Sequence, residues 1–112
     1  MLQRIGRYAI LERISTGWQG TVCRAHATVL DRIVAVKVVN QPVADDPRYL
    51  EALQREARLA AELDHPSIIR VHDFEVEDGI AYIVMEYVPD ALDRHLGDVQ
   101  TIPWRRVVEH PR

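Results

Sequence analysis

The order of apolar runs along this chain predicts an α+β fold, a five-stranded antiparallel sheet with one long helix packed on it. Three observations carry that prediction. Five short runs rich in β-branched and aromatic residues are separated by turn-like segments. One stretch, residues 48–64, changes from a two-residue to a 3.6-residue apolar period and holds neither glycine nor proline. The strand-like runs come as three, then the helix, then two, an order in which chain neighbours pair as hairpins.

The first strand is read at Tyr8 to Ile14 and ends at Ser15-Thr16-Gly17. Gly20 to Ala27 follows, with Thr21 and Val22 favouring an extended chain. Arg32 to Val39 is dominated by β-branched residues and gives the strongest strand signal. Residues 40–47 hold Pro42, Pro47, Asp45 and Asp46 and are read as a loop. The helix then runs over Arg48 to Asp64, with Asp45, Asp46 and Pro47 as its start signals and His65-Pro66 as its stop. Ile68 to Glu75 and Ile80 to Val88 are two further strands, joined by a hairpin turn at Glu77-Asp78-Gly79. Beyond Pro89 a short helical piece is read at Ala91 to Leu96, with another helix start at Pro103-Trp104.

The bulk properties exclude several classes of function. A chain of 112 residues suffices for one small domain, and 47% hydrophobic with 28% charged residues is ordinary globular composition. The net charge of −3 gives no electrostatic footprint for nucleic acid. No apolar run has the roughly 18–20 residues that cross a bilayer, and no apolar signal core follows Met1, so the chain is expected in the cytoplasm. A lone cysteine, Cys23, excludes an internal disulfide and fits a reducing compartment. The five histidines show no metal-ligand spacing, and no metal site is expected.

Three features could carry chemistry. Gly17 and Gly20, three apart between two strands, allow a tight hairpin whose amides approach a phosphate closely, although such a pair alone is equally a plain turn. Lys37 lies within Val34-Ala35-Val36-Lys37-Val38-Val39 and by alternation shares a face with Ala35 and Val39. A lysine on such a face is paired or snorkels, unless its strand is an edge strand in water. On a helical wheel Tyr49, Leu53, Glu56, Ala60 and Leu63 fall within roughly 40° of one line, which places Glu56 on the apolar stripe. A carboxylate there needs a cation, and Lys37 is the candidate.

A glycine loop, a Val-Ala-Val-Lys strand and a helix-borne glutamate together resemble the small lobe of protein kinases, particularly bacterial serine/threonine kinases. Arg55-Glu56-Ala57-Arg58, His65-Pro66-Ser67-Ile68-Ile69-Arg70-Val71 and Tyr82-Ile83-Val84-Met85-Glu86-Tyr87-Val88 are similar to further stretches of the family, in its order. The resemblance implies a small lobe with hinge over 1–88 and an incomplete start of the large lobe over 89–112. It implies ATP contacts at Ile14, Ser15, Gly17, Gly20, Val22, Ala35, Lys37, Glu56, Met85, Glu86 and Val88. In that picture Gly17 and Gly20 let the loop close over the phosphates, and Val22 and Ala35 cover the adenine. Lys37 contacts the α- and β-phosphates and is held by Glu56. Met85 stands at the back of the pocket, and the backbones of Glu86 and Val88 meet the adenine edge.

The sequence departs from the family pattern twice. Ser15 stands where the family has its first glycine. No His-Arg-Asp, Asp-Phe-Gly or Ala-Pro-Glu motif occurs, and His72-Asp73-Phe74 lacks the following glycine. No catalytic residue is therefore assigned, and the chain alone is expected not to transfer a phosphoryl group. Magnesium is expected only with the large lobe, and a protein substrate only in a full-length parent. Two functions compete: the ATP-binding piece of a truncated serine/threonine kinase, and a stand-alone pseudokinase-like module that docks on a partner kinase.

Overall fold

The computed structural model describes residues 4–62 and 69–88. In chain order the elements are β1 (Arg4–Ile5), β2 (Tyr8–Thr16), β3 (Gly20–Ala27), β4 (Arg32–Val39), α1 (Gln41–Ala44), α2 (Pro47–Ala61), β5 (Val71–Glu77) and β6 (Ile80–Glu86). The strands form one sheet in the order β1-β2-β3-β4-β6-β5, with every adjacent pair antiparallel. All five expected strands are present. The sixth, β1, is a two-residue edge strand turned back onto β2 at Gly6, whose φ is +56°. Two residues are too few for alternation to reveal.

The β-branched run of β4 lies between β3 and β6, where it is covered on both sides of the sheet. Val34, Ala35 and Val36 are all fully buried. On one face Val22, Ala35, Val39, Ile83 and Met85 pack beneath Leu53, Ala57 and Ala60 of α2. On the other, Val34, Val36 and Val84 join Ile5, Ala25 and Tyr82. Tyr8 meets Tyr82 edge-on there, with ring centroids 6.2 Å apart.

Helix α2 starts where its sequence signals place it. The Asp46 carboxylate accepts from the backbone N–H of Arg48 at 3.1 Å and of Tyr49 at 3.4 Å, and Pro47 opens the first turn. The helix ends at Ala61, three residues before the expected limit; of those, Leu63 and Asp64 lie outside the described residues. Residues 40–47, expected to be a loop, contain the one-turn helix α1. Pro42 sits in its first turn, where proline's missing N–H costs nothing, and the Asn40 carbonyl accepts from Val43 and Ala44.

The β5–β6 hairpin turns on Asp78 (φ 55°) and Gly79 (φ 78°), the two positive values that a two-residue Asp-Gly turn requires. Strand β5 runs over Val71–Glu77, the expected start at Ile68 lying outside the described residues, and β6 stops at Glu86, two residues before the expected end. The helical pieces expected at 91–96 and 103–104, and the whole of 89–112, lie outside the described residues.

Candidate functional site

Lys37 is the third residue from the end of β4, paired in register with Val22 of β3 and Ile83 of β6. Both neighbours belong to the apolar cluster under α2, so the lysine stem rises from the middle of that face. As alternation predicts, it shares the face with Ala35 and Val39. It is 4% exposed, and burial lowers its pKa to about 8. The ammonium donates a 2.8 Å hydrogen bond to Gln19 Oε1.

The β2–β3 loop brings Gln19 there. Its ends are drawn together by the Gly17 N–H, which donates to the Gly20 carbonyl at 2.9 Å. A side chain at Gly20 would meet the Val38 carbonyl oxygen at 2.1 Å, so glycine is what lets the loop lie this close to β4. Asn40, the residue after β4, donates its backbone N–H to the Gln19 carbonyl at 2.8 Å. Its side-chain amide donates to the carbonyls of Trp18 and of Gly17. Pinned in this way, the loop turns the Gln19 side chain inward to 3% exposure. The Gln19 amide nitrogen donates to the Tyr49 hydroxyl of α2, and Trp18 lies edge-on against the same ring at 6.0 Å. An ammonium can only donate, so the Gln19 oxygen must face Lys37 and its nitrogen Tyr49.

The other expected site residues gather around this point, with one exception. Val22, Ala35 and Met85 are core members of the apolar cluster, and Ile14 and Val88 pack against it. Ser15 pairs with Val22 across β2 and β3. Glu86 ends β6, where its N–H donates to the Arg70 carbonyl at 2.9 Å and its carboxylate accepts from the Arg70 N–H at 2.8 Å. Two grooves open away from this group. One, of about 420 Å³, is lined on the opposite face by Thr21, Cys23 and Val38, and the other, of about 230 Å³, lies between α2 and β5. Neither is lined by an expected site residue.

The exception is Glu56, and the expected ion pair with Lys37 is absent. Glu56 is exposed on α2, while Leu53, Ala57 and Ala60 form the buried stripe, with Tyr49 and Leu50 half-buried beside it. At 100° per residue that stripe is centred about 50° further round than the line through Tyr49 and Glu56, which leaves Glu56 about 70° off its centre. The wheel had to choose between Glu56 and Ala57 as the residue facing the sheet, and packing chooses the alanine. The sequence offered no sign of Gln19: a neutral residue at a loop tip becomes a lysine partner only once the loop's path is known.

Residues 8–109 match the Protein kinase domain family. The chain belongs to that family. Its described sheet and long helix are a kinase small lobe. Serine/threonine-protein kinase PrkC of Bacillus subtilis is 45% identical over 83 residues, covering 74% of this chain and 13% of that protein. Serine/threonine-protein kinase PknA of Mycobacterium tuberculosis is 42% identical over 88 residues, covering 74% of this chain and 20% of its own length. Among solved structures, the PknI kinase domain of Mycobacterium tuberculosis superposes with a TM-score of 0.68 at 29% identity, covering 79% of this chain and 36% of that one. This kinase chain thus spans about a fifth or less of these curated relatives. Among the described residues no helix is long and apolar enough to cross a membrane.

Proposed function

We propose that this chain is the ATP-holding part of a serine/threonine protein kinase and that by itself it does not transfer the phosphoryl group. The observation that carries the reading is Lys37. It is the only lysine in a sequence that otherwise takes its positive charge from arginine. It stands buried in the centre of the face formed by Val22, Ala35 and Met85, with no carboxylate beside it among the described residues. A structural cation in a buried pair is better served by the arginine fork, whereas a compact ammonium suits a phosphate oxygen. The apolar side chains flanking it would take the flat faces of a purine, and Ile14 near the end of β2 and Val88 just past β6 would bound it.

The chain supplies positioning and one positive charge. A general base and carboxylate ligands for magnesium are the groups that complete phosphoryl transfer. The His-Arg-Asp and Asp-Phe-Gly motifs that would bring them are missing from this sequence. Magnesium chemistry and transfer to a protein substrate therefore need groups that this sequence does not hold. The test is calorimetric titration of the chain with ATP. Binding is expected, and Lys37→Met should weaken it at least about tenfold, the scale of a charge-assisted contact to phosphate. With magnesium and labelled ATP, no label should pass to a generic protein substrate. Equal affinity of wild type and Lys37→Met would remove the nucleotide reading, and label transfer would remove the inactivity.

A further inference from the structure

Gln19 makes an unusual set of contacts for a residue at a loop tip. It is as buried as Lys37, and both ends of its amide are used, the oxygen by the ammonium and the nitrogen by Tyr49. Its own carbonyl is held by Asn40, which also holds the two residues before it. One side chain therefore ties the glycine loop to the central strand and to the first turn of α2. With Lys37 only 4% exposed, a phosphate oxygen cannot reach the ammonium while this amide lies over it.

We propose that Gln19 is an internal competitor for the phosphate site: its amide oxygen occupies the Lys37 donor that a nucleotide phosphate must take, and nucleotide binding has to expel it. This rests on the nucleotide reading of the site. The exchange runs in the right direction, because a charged phosphate oxygen is a stronger acceptor for an ammonium than a neutral amide oxygen. The amide still subtracts from affinity, since its bond to Lys37 must be broken first. Expulsion also takes away the hydrogen bond that Tyr49 receives, so filling the phosphate site frees the start of α2 from the loop.

The chemistry of residue 19 gives a test with opposite signs. Gln19→Ala removes the competitor and should tighten ATP about tenfold or more, the worth of one hydrogen bond to a charged group. Gln19→Glu places a carboxylate against the ammonium and should weaken ATP by a similar factor or more. A residue that merely shaped the loop would weaken binding in both variants. A second readout needs no nucleotide. Lys37 is the only lysine, so its acylation by an N-hydroxysuccinimide acetate can be followed in the Lys37 peptide by mass spectrometry, apart from the N-terminal amine. Acylation should be several-fold faster in Gln19→Ala than in wild type, slower in Gln19→Glu, and suppressed by ATP in all three. Circular dichroism checks that each variant is folded.

An unchanged acylation rate in Gln19→Ala overturns the proposal. So does ATP affinity that fails to rise in Gln19→Ala while ATP still protects Lys37 in wild type. If ATP protects Lys37 in no variant and binds Lys37→Met as well as wild type, the nucleotide reading itself has failed and the proposal falls with it.

Discussion

Lys37 carries its charge into a place where an amide oxygen is its only hydrogen-bond partner among the described residues, and the cost of that arrangement can be measured. Its pKa falls from 10.5 in the unfolded chain to about 8 in the fold because burial disfavours the charged form. Below pH 8 both states are protonated and the native state bears the full penalty, about 3 kcal/mol at 1.36 kcal/mol per pKa unit. Between pH 8 and 10.5 the unfolded chain binds more protons than the folded one, so stability rises with pH across that window. Lys37→Met should therefore be more stable than wild type near pH 7. By pH 9.5 the gap should have shrunk by about 2 kcal/mol in urea denaturation, since most of the native lysine is then already neutral. A gap independent of pH would mean that Lys37 is hydrated. Lys37 was legible in the sequence because strand alternation alone puts it on the face of Ala35 and Val39. Gln19 was not, because its position depends on Gly20 lying against the Val38 carbonyl and on Asn40 pinning the loop, contacts between residues up to twenty-three apart.

At the level of elements, local chemistry identified most of what the structure contains. Strands β3 and β4 begin and end at their expected residues, because each is bounded by residues that favour turns and both lie inside the sheet. The limits of the edge strand β5 and the end of β6 shift because they are set by pairing, that of β6 with β4 ending at Glu86, which a single run of residues does not reveal. Helix α2 shows the same division. Its start is a local device, the Asp46 carboxylate over two free N–H groups, and it was readable. Asp46→Ala should lower stability by about 1 kcal/mol, with no change in the dependence on denaturant, as measured by urea unfolding. An unchanged midpoint would show that solvent satisfies those N–H groups equally well. The rotation of α2 about its own axis was not readable, because a stripe through Leu53 and Ala60 can be completed by Glu56 on one side or by Ala57 on the other, and only the sheet beneath decides which of those two faces inward.

Over the whole molecule, the apolar core is divided by the sheet, and the side that carries Lys37 is also the side that α2 covers. The position of α2 and the state of the lysine are therefore linked through Gln19 and Tyr49. Glu56 can approach the ammonium only if α2 turns about its axis by about 70°, the angle now separating it from the buried stripe. Such a turn has to break the Tyr49–Gln19 contact, the same contact that is lost when a phosphate displaces Gln19. The two events thus favour one another, because whichever comes first removes an obstacle to the second. Glu56→Gln should leave the empty chain's stability within about 0.5 kcal/mol of wild type, as expected for an exposed residue without a partner among the described residues. It should still weaken ATP binding several-fold, because it removes the carboxylate that would steady Lys37 once the helix has turned. The loss should be larger in a Gln19→Ala background, where nothing else holds the ammonium. Were Glu56→Gln to bind ATP as wild type does in both backgrounds, α2 would keep its present rotation with nucleotide bound, and Glu56 would have no part in the site.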